Sequence, residues 1–364
     1  MATTHLAAVL YGARDLRITP VEAPPLGSDE IQVSPRATGL CGTDQHYYQN
    51  GRNGIYQVYE PLILGHEASG EVVAVGSAVQ NFQIGDRVVL EPQLACNSCH
   101  HCRAGHYNLC KRMRFNGSAS SRPPSQGSLQ KLWNHPAYLC YNLPESVSFE
   151  EGAMVEPLSV ALHSVRKAKL EAGQTVLVTG AGAIGLLCAR VAKISGASSI
   201  IMVDVDETRL SFAQKHGLAD QTYKVPTSGL EGESSADFVT RIAAELLKRT
   251  RVATATAAFE CTGVESCLNL CITTVDAGAK VVLVGMGRPL QNVNLGVALV
   301  REIKIYGVWR YTNTFQAAVD LIEAGMVDVK PMITHQYPFE KVAEALELTL
   351  SKPPDLVKCI VTSQ

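Results

Sequence analysis

The stretch from Thr175 to Asp204 constrains this chain more than any other. Thr175 to Thr179 is a fully apolar strand, Gly180-Ala181-Gly182-Ala183-Ile184-Gly185 follows at once, and Leu186 to Ile194 has helical character. Ser199 to Val203 is a second buried strand, and it ends in Asp204, 19 residues beyond Gly185. Glycines at these spacings are a weak signal alone. Placed between a strand and a helix, with an acid at this distance, they form the full dinucleotide fingerprint. Gly180, Gly182 and Gly185 let backbone approach a pyrophosphate whose charge then lies at a helix N-terminus. Asp204 is expected to accept hydrogen bonds from the adenine ribose hydroxyls. It would repel a 2′-phosphate, so NAD is the expected coenzyme.

Strands and helices continue to alternate through Gln221 to Val225, Ala236 to Lys248, Ala255 to Glu260, Ser266 to Thr274 and Lys280 to Val284. That alternation predicts a parallel, doubly wound sheet. Helical spacing of Cys267 and Cys271 favours core packing for the cysteines of this region. Beyond residue 297, the strand Ile303 to Val308, the helices Thr314 to Ala324 and Phe339 to Leu350, and the strand Lys358 to Val361 are expected to return to the first domain. The coenzyme unit then becomes an insert, with the cleft between domains.

The amino-terminal half has a different texture. Short β-branched runs at Leu6 to Leu10, Leu16 to Thr19, Ile31 to Thr38, Gly70 to Val75 and Arg87 to Leu90 predict a strand-rich domain. A chain of 364 residues is too long for a single core, so two domains are expected, residues 1–156 with 297–364 and residues 157–296. The one sizeable helix before residue 148 starts after Cys41, with Thr43 or Asp44 as its cap. Residues 116–128 are rich in Ser and Pro and predict an exposed loop. A helix from Phe149 to Lys167 is interrupted at Glu156-Pro157.

Two groups of metal-ligating residues stand out. Cys41, His66 and Glu67 bring a thiolate, an imidazole and a carboxylate, leaving a position open, which is the composition of a catalytic zinc site. Singly, each is more often a satisfied core or loop residue. Cys96, Cys99, Cys102 and Cys110 are separated by two, two and seven residues in a stretch with little apolar content. Four thiolates so spaced make a closed structural zinc site, with an iron–sulfur cluster as the alternative that spacing leaves open. His100, His101 and His106 are then solvated. Glu156, in an apolar helix face, is either a buried charge needing a cation or a helix-start acid in solvent.

Composition excludes several classes. A net charge of −2 offers no basic footprint for nucleic acid, and no run approaches the ~20 apolar residues of a membrane span. The first fifteen residues have no basic region before an apolar core, so no signal peptide is expected. Eleven cysteines, an odd number, point to thiols and metal ligation in a reducing, cytoplasmic setting.

Over essentially its whole length the chain resembles the zinc-containing medium-chain alcohol and polyol dehydrogenases. The residues that carry the likeness are Cys41-Gly42-Thr43-Asp44, the run GHEASGEVVAVG from Gly65 to Gly76, the four-cysteine lobe, GAGAIG, and Trp309-Arg310-Tyr311-Thr312-Asn313-Thr314. Glu67, Glu156-Pro157-Leu158-Ser159-Val160 and Arg310-Tyr311 make it most similar to the sorbitol, xylitol and arabinitol branch. The resemblance implies an α/β fold, a strand-rich GroES-like catalytic domain with a Rossmann coenzyme domain. It implies one catalytic zinc on Cys41, His66 and Glu67 and one structural zinc on the four cysteines. Thr43 and His46 are then the proton relay. Glu156, Tyr47, Arg310 and Tyr311 surround a polyol, Glu156 also being catalytic. Asp204 and Arg209 hold the adenosine end of NAD, Val284, Gly285 and Met286 lie by the nicotinamide, and Ile184, Val308 and Arg310 complete the coenzyme contacts. The activity implied is zinc-assisted hydride transfer from a secondary hydroxyl, in a homodimer or homotetramer. Two departures bear on the preferred polyol: Trp309 where the closest polyol enzymes have Phe, and Arg122 to Gly127 where they have a Thr-Pro-Pro-Asp-Gly-like loop. Rival readings are a simple alcohol or threonine-type dehydrogenase of the same fold, and a non-enzymatic NAD- or zinc-binding protein.

Overall fold

The computed structural model describes residues 3–250 and 254–363. Their packing divides the chain into two units, Met1–Glu156 with Thr312–Gln364, and Pro157–Tyr311.

The first unit begins with an antiparallel pair, β1 (Thr4–Gly12) and β2 (Asp15–Glu22). β3 (Glu30–Gly39) then delivers the chain to Cys41 and α1 (Gly42–Asn50). Neither Thr43 nor Asp44 is the cap of α1. Cys41 occupies that position, and Asp44, in the first turn, accepts from the Cys41 N–H at 3.0 Å. β4 (Glu67–Val75) runs antiparallel to β3 with Gly39 opposite Glu67, and β5 (Arg87–Leu90), β6 (Trp133–Pro136) and β7 (Cys140–Asn142) extend the sheet. Gly39 allows that pairing, because a Cβ there would lie 2.1 Å from a Glu67 carboxylate oxygen.

Residues 116–128 are not the exposed loop expected from their composition. Asn116, Ser118, Ser125 and Ser128 are buried. Several of their polar atoms find partners inside: Asn116 Nδ2 donates to the Gln126 carbonyl at 2.9 Å, and Thr38 Oγ1 donates to Ser128 Oγ at 3.1 Å. Small hydroxyls and amides that find partners can be buried at little cost, which composition alone does not reveal.

The helical stretch after residue 148 breaks where Glu156-Pro157 suggested. Ser148 caps a short helix, Phe149–Ala153, through a reciprocal box with Glu151, and α2 (Val155–Ala168) follows, its third residue the proline. Proline is tolerated there because the first turn has no intrahelical acceptor for its missing N–H.

The second unit alternates as its apolar runs predict: β8 (Thr175–Thr179), α3 (Ala183–Ile194), β9 (Ser199–Asp204), α4 (Glu207–Lys215), β10 (Gln221–Lys224), α5 (Ser235–Thr250), β11 (Ala255–Glu260), α6 (Glu265–Thr274), β12 (Val275–Leu283), α7 (Leu295–Val300) and β13 (Lys304–Gly307). The sheet order is β10-β9-β8-β11-β12-β13, and every pair is parallel. Here the structure differs from the sequence reading. The strand near Ile303 to Val308 does not return to the first unit but pairs with β12 as the sixth strand, Lys280 opposite Lys304 and Leu283 opposite Gly307. Its backbone groups complete the open edge of β12, a choice invisible to side-chain patterning. Cys271 is fully buried in the core of this unit, with Cys267 beside it half-buried.

The first unit resumes with α8 (Phe315–Glu323), β14 (Ile333–Pro338), α9 (Val342–Ser351) and β15 (Lys358–Thr362). β15 pairs with β3, with Thr38 opposite Val361, and so completes the sheet whose strand ends lead to Cys41, His66 and Glu67. Among the described residues no helix is long and apolar enough to cross a membrane.

The fingerprint glycines differ in what they tolerate. A Cβ at Gly185 would lie 1.8 Å from the Gly180 carbonyl oxygen, whereas one at Gly182 meets nothing within 4 Å. Gly185→Ala is therefore expected to lose about 1–3 kcal/mol or more through overpacking against backbone. Gly182→Ala should stay within about 0.5 kcal/mol of wild type. Urea titration of the two variants checks this, and equal midpoints would refute it.

Candidate functional site

Cys41, His66 and Glu67 come from the end of β3, the chain just before β4, and the first residue of β4. One ligand atom from each lies within 4.8 Å of the others. Cys41 is half-buried, while His66 and Glu67 are buried. Gly65 makes the turn that presents His66, with φ +90°, and a Cβ there would come 2.7 Å from Ser128 Oγ. Phe115 stacks at a tilt on the His66 ring, centroids 5.1 Å apart.

Two residues that the sequence reading left out of the site hold these ligands. Asp44, fully buried, accepts from the N–H groups of Cys41 and Gly65, each at 3.0 Å, and stands 3.6 Å from His66 Nδ1. It thus ties both segments to one carboxylate and sets that carboxylate behind the imidazole, where carboxylates stand behind metal-bound histidines. Lys358, on β15, places its buried ammonium 2.8 and 2.5 Å from the two Glu67 oxygens, and also donates to the Leu40 carbonyl at 3.3 Å. A lysine between the apolar neighbours of a strand that ends CIVT was the available signal for it. Nothing in the spacing tied it to Glu67.

The electrostatics are those of a cation site. Burial alone would push the His66 pKa down, yet Asp44 and Cys41 outweigh it and raise it well above the usual value. Burial would likewise raise the Asp44 carboxyl, but His66 and the two amide donors hold it low. Lys358 is also raised despite burial, by Glu67, then Cys41, and more weakly by Glu156. Glu156 is buried, which removes the reading of a solvated helix-start acid. A carboxylate offers about four acceptor positions, so Glu67 can meet Lys358 and still face a metal. Thiolate, imidazole and carboxylate with such a surplus of negative charge fit zinc with one position left for a substrate oxygen.

The other expected site residues are distributed as follows. Thr43 is half-buried and His46 exposed on the first turns of α1. Tyr47 is fully buried, its hydroxyl 3.0 Å from Ser118 Oγ and accepting from the Ala119 N–H at 3.1 Å, so it orders the 118–120 segment. In the second unit Arg310 has a left-handed backbone, φ 53°, with its guanidinium 4.8 Å from the Trp309 ring centroid, and Tyr311 is fully buried.

The four cysteines also meet, with Cys96 Sγ 3.9 Å and Cys99 Sγ 3.5 Å from Cys102 Sγ, and none forms a disulfide. Zinc–sulfur bonds in a tetrahedron set sulfurs about 3.8 Å apart, so the cluster has the dimensions of such a site. The Cys96 thiol is lowered to about 5, first by the Ser98 amide, and Cys99 is lowered by that of Cys102. Burial, then the neighbouring thiols, push Cys102 up to about 12. A metal would remove that conflict. The short helix His100–Arg103 buries no side chain, so metal can stand in for a core here. His100 and His106 are exposed, and His101 is half-buried.

In the coenzyme unit, β8 pairs with β9 so that Asp204 comes to the glycine turn. Its carboxylate accepts from the Ala181 N–H at 2.6 Å and the Asp206 N–H at 2.9 Å. Gly180 has φ +95°. Ile184 and Gly185 open α3. Arg209 lies on α4, whose cap Asp206 accepts from its N–H at 3.2 Å. Its buried Nε has no hydrogen-bond partner among the described residues, as suits a group awaiting an anion or ribose. At the neighbouring strand ends, Val284 and Gly285 donate to the Glu260 carbonyl at 2.8 and 2.9 Å, Met286 is exposed, and Val308 donates to the Leu283 carbonyl at 3.0 Å.

Comparisons with known proteins agree with this arrangement. The alcohol dehydrogenase GroES-like domain family matches residues 27–145, and the zinc-binding dehydrogenase family matches residues 183–324. L-idonate 5-dehydrogenase from Vitis vinifera is 40% identical over 345 residues, 94% of this chain and 91% of that protein. Sorbitol dehydrogenase from Bos taurus is 39% identical over 343 residues, 94% and 92% of the two chains. The solved structure of an Escherichia coli oxidoreductase/dehydrogenase of unknown specificity involved in membrane biogenesis superposes with a TM-score of 0.90 at 30% identity, over 100% of both chains. With a zinc-ligand cluster, a four-cysteine lobe, a dinucleotide fingerprint and matches of this extent, the chain belongs to the zinc-binding alcohol dehydrogenase family.

Proposed function

We propose that the protein oxidises a secondary hydroxyl of a sugar alcohol, of the sorbitol, xylitol or arabinitol class, to the ketose, passing hydride to NAD. The observation that carries the reading is the pairing of Cys41, His66 and Glu67 with a second buried carboxylate, Glu156, close enough for its charge to act on Lys358. The extent of identity to sorbitol and L-idonate dehydrogenases supports it.

When bound, zinc supplies Lewis acidity that makes a hydroxyl acidic near neutral pH, and NAD supplies the hydride acceptor. Cys41, His66 and Glu67 hold the first, with Asp44 and Lys358 orienting them. Thr43 would relay the hydroxyl proton, giving up its own as it accepts one, and His46, exposed one turn later, would pass it to solvent. Glu156, Arg310 and Tyr311 are assigned to the neighbouring hydroxyls, and Tyr47 orders the segment at Ser118 and Ala119. Gly180, Gly182, Ile184 and Gly185 take the pyrophosphate, Asp204 and Arg209 the adenosine, and Val284, Gly285, Met286, Val308 and Arg310 the nicotinamide end.

The protein is proposed to be cytoplasmic, where eleven thiols stay reduced, and to form a homodimer or homotetramer. β13 is an edge strand, and Leu290, Leu295, Leu299 and Val300 near it are 62–90% exposed, a patch that a second copy would cover. A single-chain mass in sedimentation velocity would refute it.

Purified protein is expected to carry about two zinc ions per chain, and Cys99→Ser about one, with a large loss of stability, since small structural zinc sites contribute on the order of 10 kcal/mol of apparent binding energy. Full activity in metal-free protein would remove the zinc assignment.

For the coenzyme, Asp204 would stand roughly 4 Å from a 2′-phosphate, costing on the order of 4 kcal/mol at an effective dielectric near 20. NAD should therefore be strongly preferred, and Asp204→Ser should narrow the gap. Equal kcat/KM with NAD and NADP in the wild type would overturn the role of Asp204.

For the substrate, buried hydrogen-bonding groups left unpaired by a short alcohol cost about 1–3 kcal/mol each, so two or three separate a polyol from ethanol by on the order of a thousandfold. Arg310→Leu should cut kcat/KM on sorbitol or xylitol far more than on 2-propanol. L-idonate belongs in the same panel. Equal losses, or a wild type that prefers ethanol or threonine, would leave only a zinc-dependent dehydrogenase.

A further inference from the structure

One group of buried polar side chains is not used by the chemistry above. Glu91, at the end of β5, is fully buried, and among the described residues its carboxylate meets no cation, only the Gln93 side-chain amide at 3.3 Å and two tyrosines. Instead Tyr107 donates to Oε1 and Tyr141 to Oε2, each at 2.8 Å. Tyr107 belongs to the four-cysteine lobe, between Cys102 and Cys110. With its proton committed to Glu91, the Tyr107 oxygen turns a lone pair outward, and it accepts from the Asn313 N–H at 2.9 Å. Two residues earlier in the lobe, the Gly105 carbonyl accepts from Thr312 Oγ1 at 2.7 Å and Asn313 Nδ2 at 3.0 Å. The lobe thus holds Thr312 and Asn313 by three hydrogen bonds.

Those two residues directly follow Arg310 and Tyr311. Arg310 and Asn313 both have left-handed backbones, φ 53° and 54°, a conformation that costs a residue with a Cβ. Such a segment keeps its shape only while its surroundings hold it. Burial, only partly opposed by the hydroxyls of Tyr107 and Tyr141, raises the Glu91 carboxyl above its ordinary range.

We propose that Tyr107, oriented by Glu91, is a positioning residue for the polyol: together with Gly105 it fixes Thr312 and Asn313, and through the chain the placement of Arg310 and Tyr311. The four-cysteine lobe is then part of substrate recognition as well as a fold-stabilising element. This rests on the polyol reading of Arg310 and Tyr311, so the test has a readout independent of substrate.

Tyr107→Phe removes one hydroxyl and keeps the ring. Holoenzyme of this variant, with wild-type zinc content, should show a KM for sorbitol or xylitol raised about five- to tenfold, the effect of one buried hydrogen bond, with a smaller change in kcat. Hydrogen–deuterium exchange of the peptide covering residues 309–314 should be faster. Tyr141→Phe is the control, since it removes the other hydroxyl on Glu91 without touching Asn313, and it should leave both readouts at wild-type values. Thr312→Val should act in the same direction as Tyr107→Phe, and it serves if that variant folds poorly. Unchanged exchange in Tyr107→Phe and Thr312→Val, or equal effects from Tyr141→Phe, would overturn the proposal. If the wild type fails to prefer polyols over 2-propanol, the substrate reading falls, and exchange alone still decides whether the clamp exists.

Discussion

A surplus of buried negative charge is the constraint on which the zinc-bearing unit depends. Asp44, Glu67 and Glu156 are all buried, and the Lys358 ammonium lies close enough to Glu67, Cys41 and Glu156 for their charges to act on it. Burying several carboxylates together is costly, and one lysine offsets only part of it. The remainder is offset by a divalent cation, so the fold and the chemistry need the same ion. That demand also explains the local architecture. β3 and β4 must pair with Gly39 opposite Glu67, and β15 must lie next to β3, for the carboxylate to reach both the ligand cluster and the lysine.

The lobe from Cys96 to Cys110 applies the same principle differently. It has almost nothing apolar to bury, so thiolates and a metal replace a core. It is nonetheless joined to the body through Tyr107 and Glu91, a polar joint whose donors and acceptors are matched. Matched buried polar groups specify geometry more sharply than apolar contact does. In the coenzyme unit geometry is set instead by backbone crowding. Gly185 packs against the Gly180 carbonyl, and the Asp204 carboxylate is held by two main-chain amides before any coenzyme arrives.

Much of this was legible in the chain itself. Strand periodicity placed β1, β3, β5, β8 and β11 within a few residues. The cysteine spacing and the glycine fingerprint identified the lobe and the coenzyme turn, because the groups involved lie within one turn or loop and local backbone geometry brings them together. Cys41, His66 and Glu67 were legible for a related reason: each sits at the end of a strand, where a conformational break is written in glycine.

What only the tertiary structure decided are the long-range pairings. Lys358 meets Glu67 across 291 positions of sequence, and the Asn313 N–H meets the Tyr107 hydroxyl across 206. The strand at residues 304–307 joined the parallel sheet, and the Ser-rich stretch at 116–128 went inside. In each case the deciding factor is which backbone edge or buried polar atom lacks a partner once the rest has folded. Residue type and spacing determine which groups need partners. Only the folded arrangement determines which partner each one finds.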